Sequence, residues 1–199
     1  MRYIFTLLFV LLAWQTQAQQ QKLMILGDSL SAAYGMPSEK GWVSLLQQQA
    51  DREKLAWQLI NASISGETTA GGLARLPELL KTHQPDVVLI ELGGNDGLRG
   101  FPIETIENNI KQKIELITQH QAKPVLMQIR IPPNYGPRYT NLFIALYPRL
   151  AEKYSIALWP FFMDQIAIDP NLMLADGIHP NESAQPKISD MMLPLLKDL

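Results

Sequence analysis

Residues 22–31 have the sequence Lys-Leu-Met-Ile-Leu-Gly-Asp-Ser-Leu-Ser, a short apolar run that ends in small and polar residues. A run of this length and character is typical of a strand buried on both faces of a sheet. Four other runs along the chain are similar, and loop residues follow each of them. These runs are 57–61, 87–92, 125–129 and, more weakly, 156–159. The sequence therefore predicts five buried strands, the first at 22–26.

The segments between the strands have the apolar spacing of helices. They are 42–50, 68–81, 103–119, 139–154 and, after the last strand, 186–196. Alternating strands and helices predict a mainly parallel sheet, because parallel neighbours are joined by crossovers that place helices on both faces. We therefore expect one α/β domain, a three-layer sandwich around a mainly parallel five-stranded sheet. Pro77 should kink the second helix or make it restart, and the Pro- and Gly-rich segment 130–139 should form a loop.

The composition limits the classes of partner. Of 199 residues, 47% are hydrophobic and the formal net charge is -2, which fits one compact domain with a sizeable core. The basic residues are scattered among acids, so the sequence indicates no nucleic-acid partner and no attraction to an anionic membrane. The absence of cysteine excludes disulfides, thiolate catalysis and cysteine-bound metals. We expect a monomer that acts on small molecules.

The first eighteen residues have the pattern of a secretory signal peptide. Arg2 precedes an apolar stretch at 4–14, and Thr16 and Ala18 are the small residues expected before a cut at Gln19. The rival interpretation is a permanent membrane anchor, but the apolar stretch is shorter than the about 20 residues that span a bilayer. We therefore expect cleavage after residue 18, a mature domain at 19–199 in the periplasm, and no stable membrane anchor.

Three candidate loops follow the first three strands, at the sheet edge where open parallel sheets bind ligands. They are 27–29, 63–68 and 93–97. Gly27 permits a tight turn that would expose the hydroxyl of Ser29 as a nucleophile. The alternative is that Asp28 and Ser29 only cap a helix. Because Ser31 occupies the last glycine position of the Gly-x-Ser-x-Gly elbow, that signature is missing.

A serine nucleophile needs a base, and the chain has three histidines. His83 and His120 end helical stretches, where an imidazole meets the helix dipole or lies in solvent. His179 instead lies in the compact loop 176–180, three residues after Asp176, which could orient its ring. The alternative for this loop is an Asx-turn next to a solvent-exposed histidine.

Acyl transfer also needs hydrogen-bond donors for the developing oxyanion. Gly66 can bring its N–H close to a ligand because it has no side chain, and Asn95 carries an amide NH2. Together with the N–H of Ser29 these make three candidate donors. The alternative for 93–97 is a plain flexible turn.

Taken together, segments 27–31, 66, 93–96 and 176–180 resemble the four sequence blocks of the GDSL, or SGNH, hydrolases. Further stretches resemble the bacterial periplasmic members of that family, so the similarity extends over nearly the whole mature chain. These stretches are 61–68, 91–101, 127–136 and 160–163. The resemblance implies a flavodoxin-like three-layer sandwich.

The resemblance also implies roles for individual residues. Ser29 would be the nucleophile, His179 the general base and acid, and Asp176 the residue that orients it. The oxyanion hole would consist of the Ser29 N–H, the Gly66 N–H and Asn95. The segment 92–101, with Leu98, resembles the family's substrate-responsive loop, and 130–139 resembles the opposite wall of the groove, where Ile131, Pro132 and Pro133 would contact acyl carbons. No metal or cofactor would be needed.

The activity that the resemblance implies is broad hydrolysis of acyl esters and thioesters, including acyl-CoA, aryl esters and lysophospholipids. Two alternatives remain open from the sequence. One is a carbohydrate O-deacetylase on the same fold. The other is a non-catalytic periplasmic lipid-binding module in which Ser29 and His179 are only polar lining residues.

Overall fold

The computed structural model describes residues 20–199, so the predicted signal peptide at 1–18 lies outside the described residues. Five strands form one sheet in the order β2-β1-β3-β4-β5, and every pairing is parallel. The strands are β1 (Gln21–Gly27), β2 (Trp57–Asn61), β3 (Val87–Glu91), β4 (Lys123–Met127) and β5 (Ala157–Trp159). All residues of the central strand β3 are buried, as its continuous apolar run predicts. The predicted fold is confirmed, with strand ends shifted by at most two residues.

Seven helices accompany the sheet in the described part of the chain. They are α1 (Trp42–Arg52), α2 (Thr69–His83), α3 (Gly94–Leu98), α4 (Ile103–Gln119), α5 (Pro137–Tyr154), α6 (Met163–Ile166) and α7 (Gln185–Lys197). Helix α1 packs against α7, whereas α2, α4 and α5 pack side by side in a second row. The two rows cover opposite faces of the sheet, because the crossover from β1 to β2 and the one from β2 to β3 run in opposite directions. None of these helices is long and apolar enough to cross a membrane.

Helix α2 excludes one of the two outcomes expected at Pro77, a restart of the helix. The helix neither stops nor restarts there, but continues from Thr69 to His83. Its start is fixed by the side chain of Thr68, which accepts a hydrogen bond from the Gly71 N–H. A proline removes only one backbone donor, and the buried residues Leu76 and Leu80 hold the helix against the sheet on both sides of it.

Two segments predicted as loops are partly helical. In 93–97 the chain turns at Gly93, whose φ is 121°, and then forms the short helix α3. This helix is packed tightly, since a Cβ at Gly97 would lie 2.7 Å from Ile131 and 2.8 Å from Phe143. In 130–139 a 3-10 turn covers Pro133–Tyr135, and α5 already begins at Pro137. Proline is tolerated in the first helical turn, where its missing N–H would have no partner.

The strand order creates a crevice at the carboxyl ends of β1 and β3. From β1 the chain passes to β2 on one side and then returns to β3 on the other. Loops that leave neighbouring strands in opposite directions open a gap between them, which is where ligands bind in such sheets. The loops after β1 and β3, which carry Ser29 and Asn95, therefore border the same crevice.

Candidate active site

Ser29 lies in the turn that directly follows β1, with its backbone close to the central strand. A Cβ at Gly27 would approach a carboxylate oxygen of Glu91 to 2.5 Å and the hydroxyl of Ser63 to 2.8 Å. Only glycine therefore fits at the end of β1. The half-buried Ser29 hydroxyl lies 2.9 Å from Nε2 of His179.

His179 is held by the loop between β5 and α7. Its Nδ1 lies 2.7 Å from Oδ2 of Asp176, while Oδ1 of Asp176 accepts hydrogen bonds from the N–H groups of Ile178 and His179. The hydrogen bonds from the His179 N–H, the His179 side chain and the Ile178 N–H lower the pKa of Asp176 to about 2. Asp176 therefore forms the Asx-turn with one oxygen and faces the imidazole with the other. The structure brings Ser29, His179 and Asp176 into one hydrogen-bonded chain.

The other two histidines lie away from this chain. His83 is the last residue of α2, and its carbonyl accepts a hydrogen bond from Nζ of Lys22. His120 follows α4, and its ring Nδ1 lies 2.9 Å from the carbonyl oxygen of Leu116. Both therefore belong to helix ends, as their sequence positions predict, and neither lines the cleft at Ser29.

The three predicted oxyanion donors differ in their hydrogen bonding, and Ser29 and Asn95 line the cleft. Within residues 20–199, the N–H groups of Ser29 and Gly66 donate to no backbone or side-chain acceptor. Gly66 adopts a φ of 79°, and nothing lies within 4 Å of the Cβ position it leaves empty. The Asn95 amide instead donates to the carbonyl of Glu67 at 3.0 Å and to Oδ2 of Asp28 at 3.2 Å. To bind an oxyanion, Asn95 has to give up one of these two bonds.

A buried pair of carboxyl groups lies directly under the Ser29 turn and was not predicted from the sequence. Oε2 of Glu91, at the end of β3, accepts from the N–H of Asp28 at 3.2 Å and from the hydroxyl of Ser31 at 2.7 Å. Burial raises the pKa of Asp28 to about 6 and raises that of Glu91 well above its ordinary value, with a further contribution from Asp28. The sequence feature that could have indicated this pair is Glu91, an acidic residue inside the otherwise apolar run 87–92.

A second buried polar cluster lies behind Asn95, between α2, α3 and α4. Asp96 accepts from both the N–H and the hydroxyl of Thr69, and Asn109 donates to the same hydroxyl. Lys113, which has no exposed surface, donates to the carbonyl of Thr69. Burial lowers the pKa of Lys113 to about 7. This cluster fixes the start of α2 against α3 and so the backbone on both sides of Asn95.

An apolar cleft of about 490 Å³ opens beside Ser29 and His179. Leu98, Ile131 and Pro132 line it, whereas Pro133 does not. Pro133 begins the Pro133–Tyr135 3-10 turn and is exposed. The sequence also missed much of the wall, which comes from segments after β1, β4 and β5. These residues include Leu30, Ile129, Phe161, Met163, Ile168 and Met173.

The rim of the cleft carries an ion pair that joins two of its walls. Nε of Arg130 lies 2.9 Å from Oδ2 of Asp164, and both side chains are about half exposed. Among the residues that the structure describes, no group of three or more metal-ligating side chains occurs. The cleft therefore combines an apolar interior with the hydroxyl and N–H of Ser29 and the imidazole of His179 at one end. These are the groups that nucleophilic acyl transfer requires.

Comparisons with known proteins agree with this arrangement. Residues 25–185 match the GDSL-like Lipase/Acylhydrolase family. An arylesterase of Vibrio mimicus is 50% identical over 191 residues, which cover 96% of this chain and 95% of that protein. The thioesterase 1/protease 1/lysophospholipase L1 of Escherichia coli K12 is 48% identical over 198 residues, covering 100% of this chain and 94% of that protein.

A solved structure shows the same likeness in three dimensions. The psychrotrophic esterase EstA from Pseudoalteromonas sp., inhibited by monoethylphosphonate, superposes with a TM-score of 0.88 at 48% identity. The match covers 89% of this chain and 97% of that one. By sequence and by fold, the chain belongs to the GDSL-like lipase/acylhydrolase family.

Proposed function

We propose that this protein is a serine hydrolase that cleaves acyl esters and thioesters through an acyl-Ser29 intermediate. The observation that carries the proposal is the hydrogen-bonded chain from Ser29 through His179 to Asp176 at one end of an apolar cleft. A cleft with apolar walls fits the acyl part of a substrate, and a nucleophile at its end would meet the carbonyl carbon.

In the first half of the reaction, Nε2 of His179 takes the proton of Ser29 as the hydroxyl oxygen attacks the carbonyl carbon. Asp176 holds Nδ1 of the ring and stabilises the imidazolium that forms, and its low pKa keeps it ionised. The tetrahedral intermediate then collapses, the bond to the alcohol or thiol breaks, and His179 gives its proton to this leaving group. The acyl group remains on Ser29 as an ester.

In the second half, His179 takes a proton from water, which attacks the acyl-Ser29 ester. The acid leaves and Ser29 regains its proton from His179. In both halves the oxyanion receives hydrogen bonds from the N–H groups of Ser29 and Gly66, which have no other acceptor in the described chain, and from Asn95. Side chains of this protein carry out every proton transfer in the reaction.

The proposed substrates are small acyl esters and thioesters, namely aryl esters, acyl-CoA and lysophospholipids. The names of the relatives from Vibrio mimicus and Escherichia coli support this range. The cleft supports it as well, because apart from the polar groups beside Ser29 and the Arg130–Asp164 ion pair at the rim its walls are apolar, which fits an acyl chain better than a sugar ring.

We also propose that residues 1–18 form a signal peptide and that the domain 19–199 acts as a monomer in the periplasm. The pattern of residues in this leader supports export and cleavage. Mass spectrometry of the protein from a periplasmic extract should give an N-terminus at Gln19. An unprocessed chain in the membrane fraction would contradict it.

The experiment that tests the hydrolase is Ser29→Ala, assayed with a short p-nitrophenyl ester and with an acyl-CoA. Loss of the nucleophile should lower kcat by about 10³-fold or more on both substrates. Ser38→Ala is the matched control, because Ser38 is exposed and starts a 3-10 turn away from the cleft. If Ser29→Ala kept most of the activity, the proposed mechanism would be wrong. Activity of the wild type on acetylated glycans alone would favour the deacetylase instead.

A further inference from the structure

Tyr34 lies flat against the imidazole of His179. The two ring centroids are 4.1 Å apart and the ring planes differ by 26°, which is a stacked arrangement. Tyr34 comes from the turn after β1, so the element that carries Ser29 also supplies this ring. The tyrosine hydroxyl donates to no acceptor within residues 20–199, and the side chain is 45% exposed. The contact with His179 is therefore made by the ring face and not by the hydroxyl.

The backbone around Tyr34 has an unusual conformation. Both neighbours have positive φ angles, 57° at Ala33 and 75° at Gly35. Such an angle is uncommon for a residue with a side chain, and residues of this kind are found preferentially at functional sites. Ala33 is buried and leaves no room for a side chain at Gly41, whose Cβ would lie 2.7 Å from that of Ala33. The turn is thus fixed by packing in a conformation that places Tyr34 against His179.

Different residues hold the edges and the face of the His179 ring. Its two nitrogens are engaged by Asp176 and Ser29, which fix the ring edges. The neighbouring residues Asp176, Gly177 and Ile178 are exposed, yet the side chain of His179 is only 16% exposed. Tyr34 supplies cover on one face of the ring. Without Tyr34, the two hydrogen bonds would still permit the ring to rotate about the line through Nδ1 and Nε2.

We propose that Tyr34 is a positioning residue for His179, whose ring face keeps the imidazole aligned between Ser29 and Asp176 and stabilises the imidazolium formed during attack. This inference rests on the proposed function. An aromatic face attracts a cation more strongly than a neutral ring, so the gain arises only when His179 carries the transferred proton. An interaction that is stronger in the transition state than in the enzyme–substrate complex raises kcat. An interaction that is equally strong in the two changes KM instead.

The geometry separates this role from substrate contact. Tyr34 is not among the residues that line the cleft, although Ser29, Leu30 and His179 are. Its removal should therefore change kcat and leave KM for an acyl ester within about twofold. The partly exposed side chain also makes a large loss of stability unexpected, since little apolar surface would be uncovered.

The experiment compares three replacements of Tyr34 with kcat and KM as readouts. Tyr34→Phe keeps the ring and should retain kcat within about twofold. Tyr34→Leu keeps bulk but lacks the aromatic face, and it should lower kcat about two- to fivefold, as Tyr34→Ala should. Leu142→Ala is the control, since Leu142 is 46% exposed on α5 and lies outside the cleft. Thermal unfolding of each variant checks that the fold is kept.

A second readout follows the activation of Ser29 without an acyl substrate. The rate at which a small fluorophosphonate labels Ser29 should fall in Tyr34→Leu by the same factor as kcat and should be unchanged in Tyr34→Phe. Wild-type kcat in Tyr34→Leu, an equal loss in Tyr34→Phe, or a change confined to KM would each overturn the inference. Failure of the proposed function is distinguishable, because then Ser29→Ala itself would retain activity.

Discussion

The two ends of the sheet carry similar residue types in different arrangements. At the amino ends of β3 and β4 a hollow of about 720 Å³ is lined by Glu78, Lys81, Asp86 and His120 among others, and it is larger than the 490 Å³ cleft at the carboxyl ends. There, Asp86 accepts from the N–H of Lys22 and His120 faces a carbonyl of its own helix. Asp86 and His120 are thus tied to backbone groups, and Glu78 accepts from the hydroxyl of Thr82 on its own helix.

At the carboxyl ends the polar groups are instead tied to one another. Ser29 meets His179 from the loop before α7, and Asn95 after β3 meets Asp28 after β1. Buried Glu91 connects the central strand to the Ser29 turn. The comparison teaches that the number of titratable residues and the size of a cavity do not define this site. Convergence of side chains from separate elements does.

The largest expected effect is the difference between replacing His179 at the carboxyl ends of the strands and replacing His120 at the amino ends. His179→Ala removes the general base and should lower kcat by about 10³-fold or more. His120→Ala removes the same side chain from the amino end and should leave kcat within about twofold. Ester hydrolysis under saturating substrate measures both. An equal effect of the two substitutions would contradict the assignment of the site to the carboxyl ends.

A smaller effect is expected at the oxyanion donors. Asn95→Ala should lower kcat about 100- to 1000-fold, because one donor to the oxyanion is lost. Its control is Asn108→Ala, an exposed asparagine on α4 whose side chain lies outside the cleft. Circular dichroism checks the fold of both proteins. Unchanged turnover in Asn95→Ala would mean that its bonds to Glu67 and Asp28 are purely structural.

The next prediction tests the role of the buried Glu91 carboxyl group under the Ser29 turn. Because burial favours the neutral form of Glu91, Glu91→Gln should keep kcat within about threefold. Glu91→Leu leaves the Asp28 N–H and the Ser31 hydroxyl unpaired, which should cost about 1–3 kcal/mol of stability and roughly tenfold in kcat. Urea unfolding and kinetics measure the two effects. If glutamine were as damaging as leucine, Glu91 would have to act as an anion.

The smallest effect on activity is expected at Lys113, where stability and pH are the readout. Its pKa is about 7 in the folded state, below the ordinary value of 10.5, so the unfolded chain binds more protons between these pH values. This group therefore makes stability rise with pH in that window, by up to about 1.4 kcal/mol per pH unit. Lys113→Met removes the dependence. The stability advantage of the variant over wild type should be largest at pH 7 and shrink towards pH 10, and a constant difference would contradict the account.

Much of the fold followed from the sequence because buried parallel strands leave continuous apolar runs. Strand β2 and helix α4 have the predicted bounds, and the other predicted elements are shifted by one or two residues. Local composition failed at 93–97, where glycine, asparagine and aspartate indicate a turn. There, packing against Ile131 and Phe143 selects a short helix, and that packing depends on tertiary contacts.

The candidate site was predictable where its residues fall in short motifs, as Ser29, Asn95 and the 176–180 loop do. Glu91, Lys113 and Tyr34 were not, since each contacts a partner that is remote in sequence. Periodicity places a residue on a buried face but does not say which polar group it meets. The cleft wall after β5 was not predicted either, because the resemblance at 160–163 gave its apolar side chains no role in the cleft.

The most direct test of the central claim is to trap the covalent intermediate. Wild-type protein is mixed with a long-chain acyl thioester, quenched with acid within milliseconds and digested with trypsin. The account predicts the mass of the acyl group on peptide 23–40, localised to Ser29 by fragmentation and absent from Ser29→Ala. An acyl group on another residue, or rapid turnover with no acylated peptide, would contradict it.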